Sequence, residues 1–198
     1  MGIKANMKEY IPLWSFLRTL RTNRLVSSTY IWLIIVPVAA KATAGLNEYL
    51  SFETGGTTHS IALTLPFSWQ IFFLSALMFV IGNILFIVFS PKFIKLYSDF
   101  GYFTRLGGRM DHLEAHKDEA MKGSENQNKR LRELAGIKQN EKSEPERSKD
   151  LFWALHENYN DKCIVKRFLV SLAYLLGFLL FSWVALSNIY WALKEIFF

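Results

Sequence analysis

FSWQIFFLSALMFVIGNILFIVFS, residues 67–90, runs for 24 positions without an Asp, Glu, Lys, Arg or His. A helix needs roughly 20 apolar residues to cross the hydrocarbon core of a bilayer, and this stretch exceeds that length. Two further stretches share its character: LVSSTYIWLIIVPVAA at 25–40 and FLVSLAYLLGFLLFSWVALSNIYWAL at 168–193. Together the three make up about a third of the 198 residues, leaving no other segment with enough apolar residues for a substantial independent core. The chain therefore reads as an integral membrane protein.

Charge sets the expected topology. Residues 1–24 carry Lys4, Lys8, Arg18, Arg21 and Arg24 against Glu9 alone, whereas 41–66 has Lys41 against Glu48 and Glu53. Cytoplasmic loops carry the excess of Lys and Arg, which places the N-terminus in the cytosol. Residues 91–167 hold 16 of the 23 basic residues and belong on the same side. The expected order is a cytosolic amphipathic N-terminal segment (1–24), a first span (25–44), an external loop or hairpin (45–66), a second span (67–90), a cytosolic basic segment with a mobile arm (91–167), a third span (168–193) and an external tail (194–198). Lys41 can bend its ammonium toward the interface if the first helix runs on to Ala44. The basic start, apolar run and Lys41-Ala-Thr-Ala44 also have the layout of a signal peptide; with the stretch in place behind Met1, it is read as the first span.

The formal charge of +6 points first to anionic lipid headgroups in a protein of this class, with direct nucleic-acid binding a second choice. The single cysteine, Cys163, cannot form an intrachain disulfide. Trp32, Trp69, Trp183, Tyr190 and Trp191 lie in or near span ends, where amphipathic rings anchor at the headgroup level.

Between the spans the pattern is more varied. Residues 10–20 place Leu13, Trp14, Phe16, Leu17 and Leu20 at helical spacing, as expected of an interfacial or membrane-embedded fourth helix too short to cross. In 45–66, Leu50 and Phe52 alternate with polar residues before Gly55-Gly56, as do Ile61, Leu63 and Leu65 after it; a β-hairpin or a plain connecting loop both fit. Residues 91–109 interleave Lys92, Lys95, Arg105 and Arg109 with aromatic residues, a composition suited to lying on anionic lipid. From Met110 to Asp150 the chain becomes polar, with one short helical pattern of Leu131, Leu134 and Ile137, and reads as a mobile arm. Residues 151–159 return an amphipathic helix with an apolar face for the membrane, for 91–108 or for a soluble partner. The fold expected is an all-α polytopic membrane protein with three clear transmembrane helices, a short external β-hairpin and a helical or mobile cytosolic segment.

No spacing points to catalysis, and the chain is expected not to be an enzyme. His112 and His116, four apart, share a helix face but supply at most half a tetrahedral metal site; no metal or cofactor is expected. The residues singled out as partner- or lipid-binding are Lys92, Lys95, Arg105, Arg109, Lys129, Arg130, Arg132 and Trp153. Asn83 and Asn188, with the small pair Ala173 and Gly177, are candidates for helix packing or for lining a pore. The spans carry no ionisable group at their centres, which disfavours charge-coupled transport. Polar residues on so few spans imply homo-oligomer formation.

In its size, its several spans, its charged cytosolic segment and the character of 10–46 and 91–108, the chain resembles KwaA, the membrane subunit of the bacterial Kiwa antiphage defence system. That resemblance implies an oligomer in the bacterial inner membrane that detects infection at the envelope and works with a cytosolic, DNA-binding effector, KwaB. It also implies four membrane helices where the residues show three, and no catalytic residues. Two functions follow as expectations: a membrane sensor or scaffold that recruits a cytosolic effector, and an oligomeric pore.

Overall fold

The computed structural model describes residues 10–43, 49–54, 57–62, 69–121, 131 and 143–197. Eight helices and one strand pair are named among them: α1 (Trp14–Thr22), α2 (Arg24–Thr43), β1 (Tyr49–Thr54), β2 (Thr57–Ala62), α3 (Trp69–Phe89), α4 (Lys92–Leu96), α5 (Phe100–Arg105), α6 (Met110–Met121), α7 (Glu144–Asn160) and α8 (Ile164–Phe197). Three are long and apolar enough to cross a membrane: Arg24–Ala42, Trp69–Phe89 and Ile164–Lys194. β1 and β2 pair antiparallel in a register running from Tyr49 opposite Ala62 to Thr54 opposite Thr57.

The chain divides into two compact units. One comprises Arg21–Ile84 and Ser171–Phe198 and contains α2 and the greater part of the other two apolar helices. Within it, α3 and α8 approach closely. The Ser75 hydroxyl donates to the carbonyl of Gly177 at 2.9 Å, and the rings of Phe79 and Phe178 meet edge to face with centroids 4.8 Å apart. A Cβ on Gly177 would come within 2.9 Å of the Phe79 ring, so the close approach of the helices requires glycine there. Tyr174 donates its hydroxyl to Asn83 Oδ1 at 2.7 Å, with both side chains buried. Ile31, Ile34, Val38, Leu175, Leu179 and Leu186 are exposed instead. Large apolar side chains exposed in such number along these helices suit a surface that meets something other than water.

The other unit is Met1–Leu20 with Leu85–Val170; of the stretch 110–150 read as a mobile arm with one helix inside it, 122–130 and 132–142 lie outside the described residues. α6 and α7 are regular helices there, and Leu113, Ala120, Leu131, Leu151, Phe152 and Leu155 are buried. Residues 91–167 thus contain a folded helical core. The helix of the third span, α8, is also longer than the apolar run that identified it. It starts at Ile164, so Lys166 and Arg167 lie within it rather than ahead of it.

Candidate functional site

The helical unit is built on aromatic packing. α4 and α5 together are only about a dozen residues and could not persist alone, but they place Phe93 and Phe103 at 1 % and 0 % exposure. Phe152 of α7 completes the cluster, with centroids 5.3 Å from Phe93 and 5.6 Å from Phe103. Tyr159 stacks on Phe93 at 5.4 Å, and its hydroxyl donates to the His116 carbonyl at 3.1 Å. Burial, with Glu119 adding to it, pushes the Tyr159 phenol up to about 12. The rings of 91–109 that suggested a lipid-facing strip therefore face inward in good part, and the α7 helix takes 91–108 as its docking surface.

Local chemistry fixes the short elements. Asp99 caps α5 by accepting the Tyr102 N–H at 2.8 Å; the Ser98 hydroxyl and this N–H together hold its carboxyl below the usual range. After α5, Gly107 takes φ 75° and the Gly108 N–H donates to the Phe103 carbonyl at 3.0 Å, a left-handed termination that glycine permits without strain. At the start of α7, Glu146 Oε2 accepts from the N–H and hydroxyl of Ser143 at 3.2 and 2.9 Å, a capping box.

The N-terminal helix is clamped into this unit at three points. Trp14, fully buried, donates its indole N–H to the Lys162 carbonyl at 2.8 Å and meets Phe86 edge to face. The Asn160 side chain accepts the Ser15 N–H at 2.8 Å and donates to the Ser15 hydroxyl at 3.0 Å. It thereby caps the first turn of α1 from a distant part of the chain, satisfying a donor that the helix itself cannot. Arg18 donates to the Ile94 carbonyl at 2.8 Å. Beside this clamp, Arg167 is fully buried, donating to the Asn160 carbonyl at 3.1 Å and pairing with Asp161 at 3.2 Å. Hydrogen bonding and one carboxylate compensate a burial that would otherwise be costly. Burial lowers the affinity of Lys162 and His156 for protons, Arg18 adding to the effect at His156.

The expected site residues fall into groups. Lys92, Arg105 and Arg109 are exposed. Lys95 is partly covered and donates to the Ile87 carbonyl at 2.7 Å. Trp153 is 45 % exposed on α7, its ring edge-on to Phe152 and His156. Lys129, Arg130 and Arg132 lie outside the described residues, although Leu131 among them is buried. Asn83, Ala173 and Gly177 are buried within the membrane-spanning unit, in helix packing rather than on an exposed pore-facing surface of the chain; Asn188 is partly exposed. His112 accepts the Arg109 N–H at 3.2 Å, while the His116 ring packs on Phe93 at 5.2 Å. No group of three or more potential metal ligands assembles among the described residues. Sequence reasoning missed Trp14, Ser15, Asn160 and Arg167 as a connected set. Trp14 was legible as an apolar helix position, but nothing local pairs Ser15 with a side chain 145 positions away.

Comparison with protein-family models, curated proteins and solved structures finds no match to this chain.

Proposed function

We propose that the protein is a membrane sensor or scaffold that holds or controls a cytosolic effector through the unit formed by its N-terminal helix and residues 85–170. The observation that carries this reading is the clamp of Trp14, Ser15 and Arg18 onto Lys162, Asn160 and Ile94. It joins the segment before α2, the segment after α3 and the turn before α8 in one folded unit. A rearrangement of the spans would be felt at each of those connections, which is what a membrane-coupled scaffold requires. The excess of Lys and Arg on these segments supports a cytosolic side for them and an external side for 45–66. The resemblance to the Kiwa membrane subunit supplies the setting: a homo-oligomer in the bacterial inner membrane, serving phage defence with a KwaB-like partner. The exposed Trp153 and the basic Lys129, Arg130 and Arg132 are the proposed contact.

Mild-detergent affinity purification with mass spectrometry tests this, comparing the intact chain with a variant carrying Trp153→Ala and Glu at 129, 130 and 132. A stoichiometric soluble partner captured by the intact chain and lost from the variant supports the scaffold. A pure homo-oligomer in both preparations counts against it and directs attention to conductance in liposomes.

A further inference from the structure

The N-terminal helix carries apolar residues on two sides. Toward the helical unit, Ile11, Trp14 and Leu17 are buried. On the other side, Leu13 and Phe16 are 44 % and 52 % exposed and Leu20 is partly exposed. Leu13 belongs to the first turn, its carbonyl accepting the Leu17 N–H at 3.1 Å, and steps of three and four residues put Leu13, Phe16 and Leu20 on one face. A helix apolar on both sides needs two partners, and the folded unit supplies only the inner one.

The contacts of the inner side give the level of α1 against the ends of two apolar helices. Trp14 meets Phe86 edge to face with centroids 5.9 Å apart. Phe86 lies one turn before Phe89, the last residue of α3, about 5 Å along the axis. The Trp14 indole also bonds the carbonyl of Lys162, just ahead of Ile164, where α8 begins. Basic side chains mark the same level: Lys95 donates to the Ile87 carbonyl at 2.7 Å, and the Lys166 ammonium stands 5.5 Å from the centre of the Phe89 ring. Residues 10–20, 87–98 and 162–166 carry Arg18, Lys92, Lys95, Lys162 and Lys166 and no Asp or Glu. Trp and long basic side chains collect where acyl chains meet headgroups. With α3 and α8 across a bilayer, α1 therefore lies at that boundary. Ile87 and Val88 of α3 and Val165 and Phe168 of α8 are exposed in the same unit, apolar side chains that suit lipid rather than water.

We propose that α1 is a surface helix of the bilayer, with lipid the occupant of its outer side and Leu13 and Phe16 resting among the outermost acyl carbons. An apolar face at the acyl–headgroup boundary, with basic residues beside it, is how amphipathic helices lie on a membrane. Its nine residues are too few to hold a helix alone. The bonds of Trp14, Ser15 and Arg18 hold the inner side, and lipid covers the outer one. The clamp is thereby placed directly against the membrane surface. The inference rests on α3 and α8 spanning a membrane, and not on whether the helical unit recruits an effector.

Spin-label accessibility in the full chain tests this, in vesicles of phosphatidylglycerol and phosphatidylcholine and on a Cys163→Gly background. Labels are placed singly at Leu13→Cys and Phe16→Cys, with Ile84→Cys, exposed on α3, as the span reference and Lys149→Cys, exposed on α7, as the aqueous one. Collisions with dissolved oxygen, which concentrates among acyl chains, are compared with collisions with a water-soluble nickel chelate. Labels at 13 and 16 are expected to favour oxygen, at a shallower depth than at 84, while the label at 149 favours nickel. Nickel-favoured collisions at 13 and 16, with oxygen still favoured at 84, would put the face in water and overturn the inference while leaving the spans standing. Exclusion of both reagents at 13 and 16 would also overturn it, and spin–spin broadening that vanishes on dilution with unlabelled chains would assign the face to a second copy.

Discussion

Cys163 shows how much a single backbone position can constrain. It takes φ 59° between α7 and α8, a left-handed conformation that costs a side-chain-bearing residue of order 1 kcal/mol. Cys163→Gly is expected to stabilise the protein slightly and Cys163→Val to destabilise it, read as shifts in melting temperature in detergent. In the membrane-spanning unit, Tyr174→Phe removes the bond to Asn83 and is expected to cost about 1 kcal/mol, measured by equilibrium unfolding in mixed micelles. Gly177→Leu is expected to be far worse, because the Phe79 ring occupies the space a larger residue needs. His156 supplies a pH dependence. Burial first, then Arg18, lowers its folded-state pKa below the ordinary 6.5, so the unfolded chain binds the proton more readily. The stability contributed by the neutral ring is complete above about pH 6.5 and is lost as pH falls through the folded value. Melting temperature between pH 7.5 and 5 is expected to drop for the wild type and to drop less for His156→Gln.

Elements were legible in proportion to how local their causes are. The span cores at 67–90 and 168–193 follow from composition alone, being long enough to cross a bilayer without a charge, and 25–40 shares their character over a shorter run. The amphipathic pattern of 10–20 likewise pointed to α1. Residues 91–109 were harder. Interleaved charge and aromatic character is compatible with a lipid surface or a core, and only the arrival of Phe152 and Tyr159 from α7 turns Phe93 and Phe103 inward. The polar look of 110–150 concealed α6 for the same reason: Leu113 and Ala120 are few, but both are buried. The cap that Asn160 gives α1 could not be anticipated, since it depends on tertiary contact. Asn160→Ala is expected to remove about 1 kcal/mol and to increase amide exchange first in α1, as followed by hydrogen–deuterium exchange; uniform destabilisation across the unit would show that the cap is not local.

At the scale of the molecule, three helices are long and apolar enough to cross a membrane, and the proposed topology, with residues 91–167 in the cytosol and 45–66 outside, rests on the distribution of Lys and Arg along the sequence. The Trp14 bond to the Lys162 carbonyl requires the N-terminal segment and the α7–α8 turn to share a side, in accord with the separate excess of basic residues on each. Cysteine accessibility in intact cells tests this most directly, using a Cys163→Gly background and single cysteines at Gly56 and Gln127 with a membrane-impermeant maleimide. The account predicts labelling of Gly56→Cys from outside and of Gln127→Cys only after permeabilisation. Labelling of Gln127→Cys in intact cells would contradict the cytosolic placement, and with it the proposal that this unit meets a cytosolic effector.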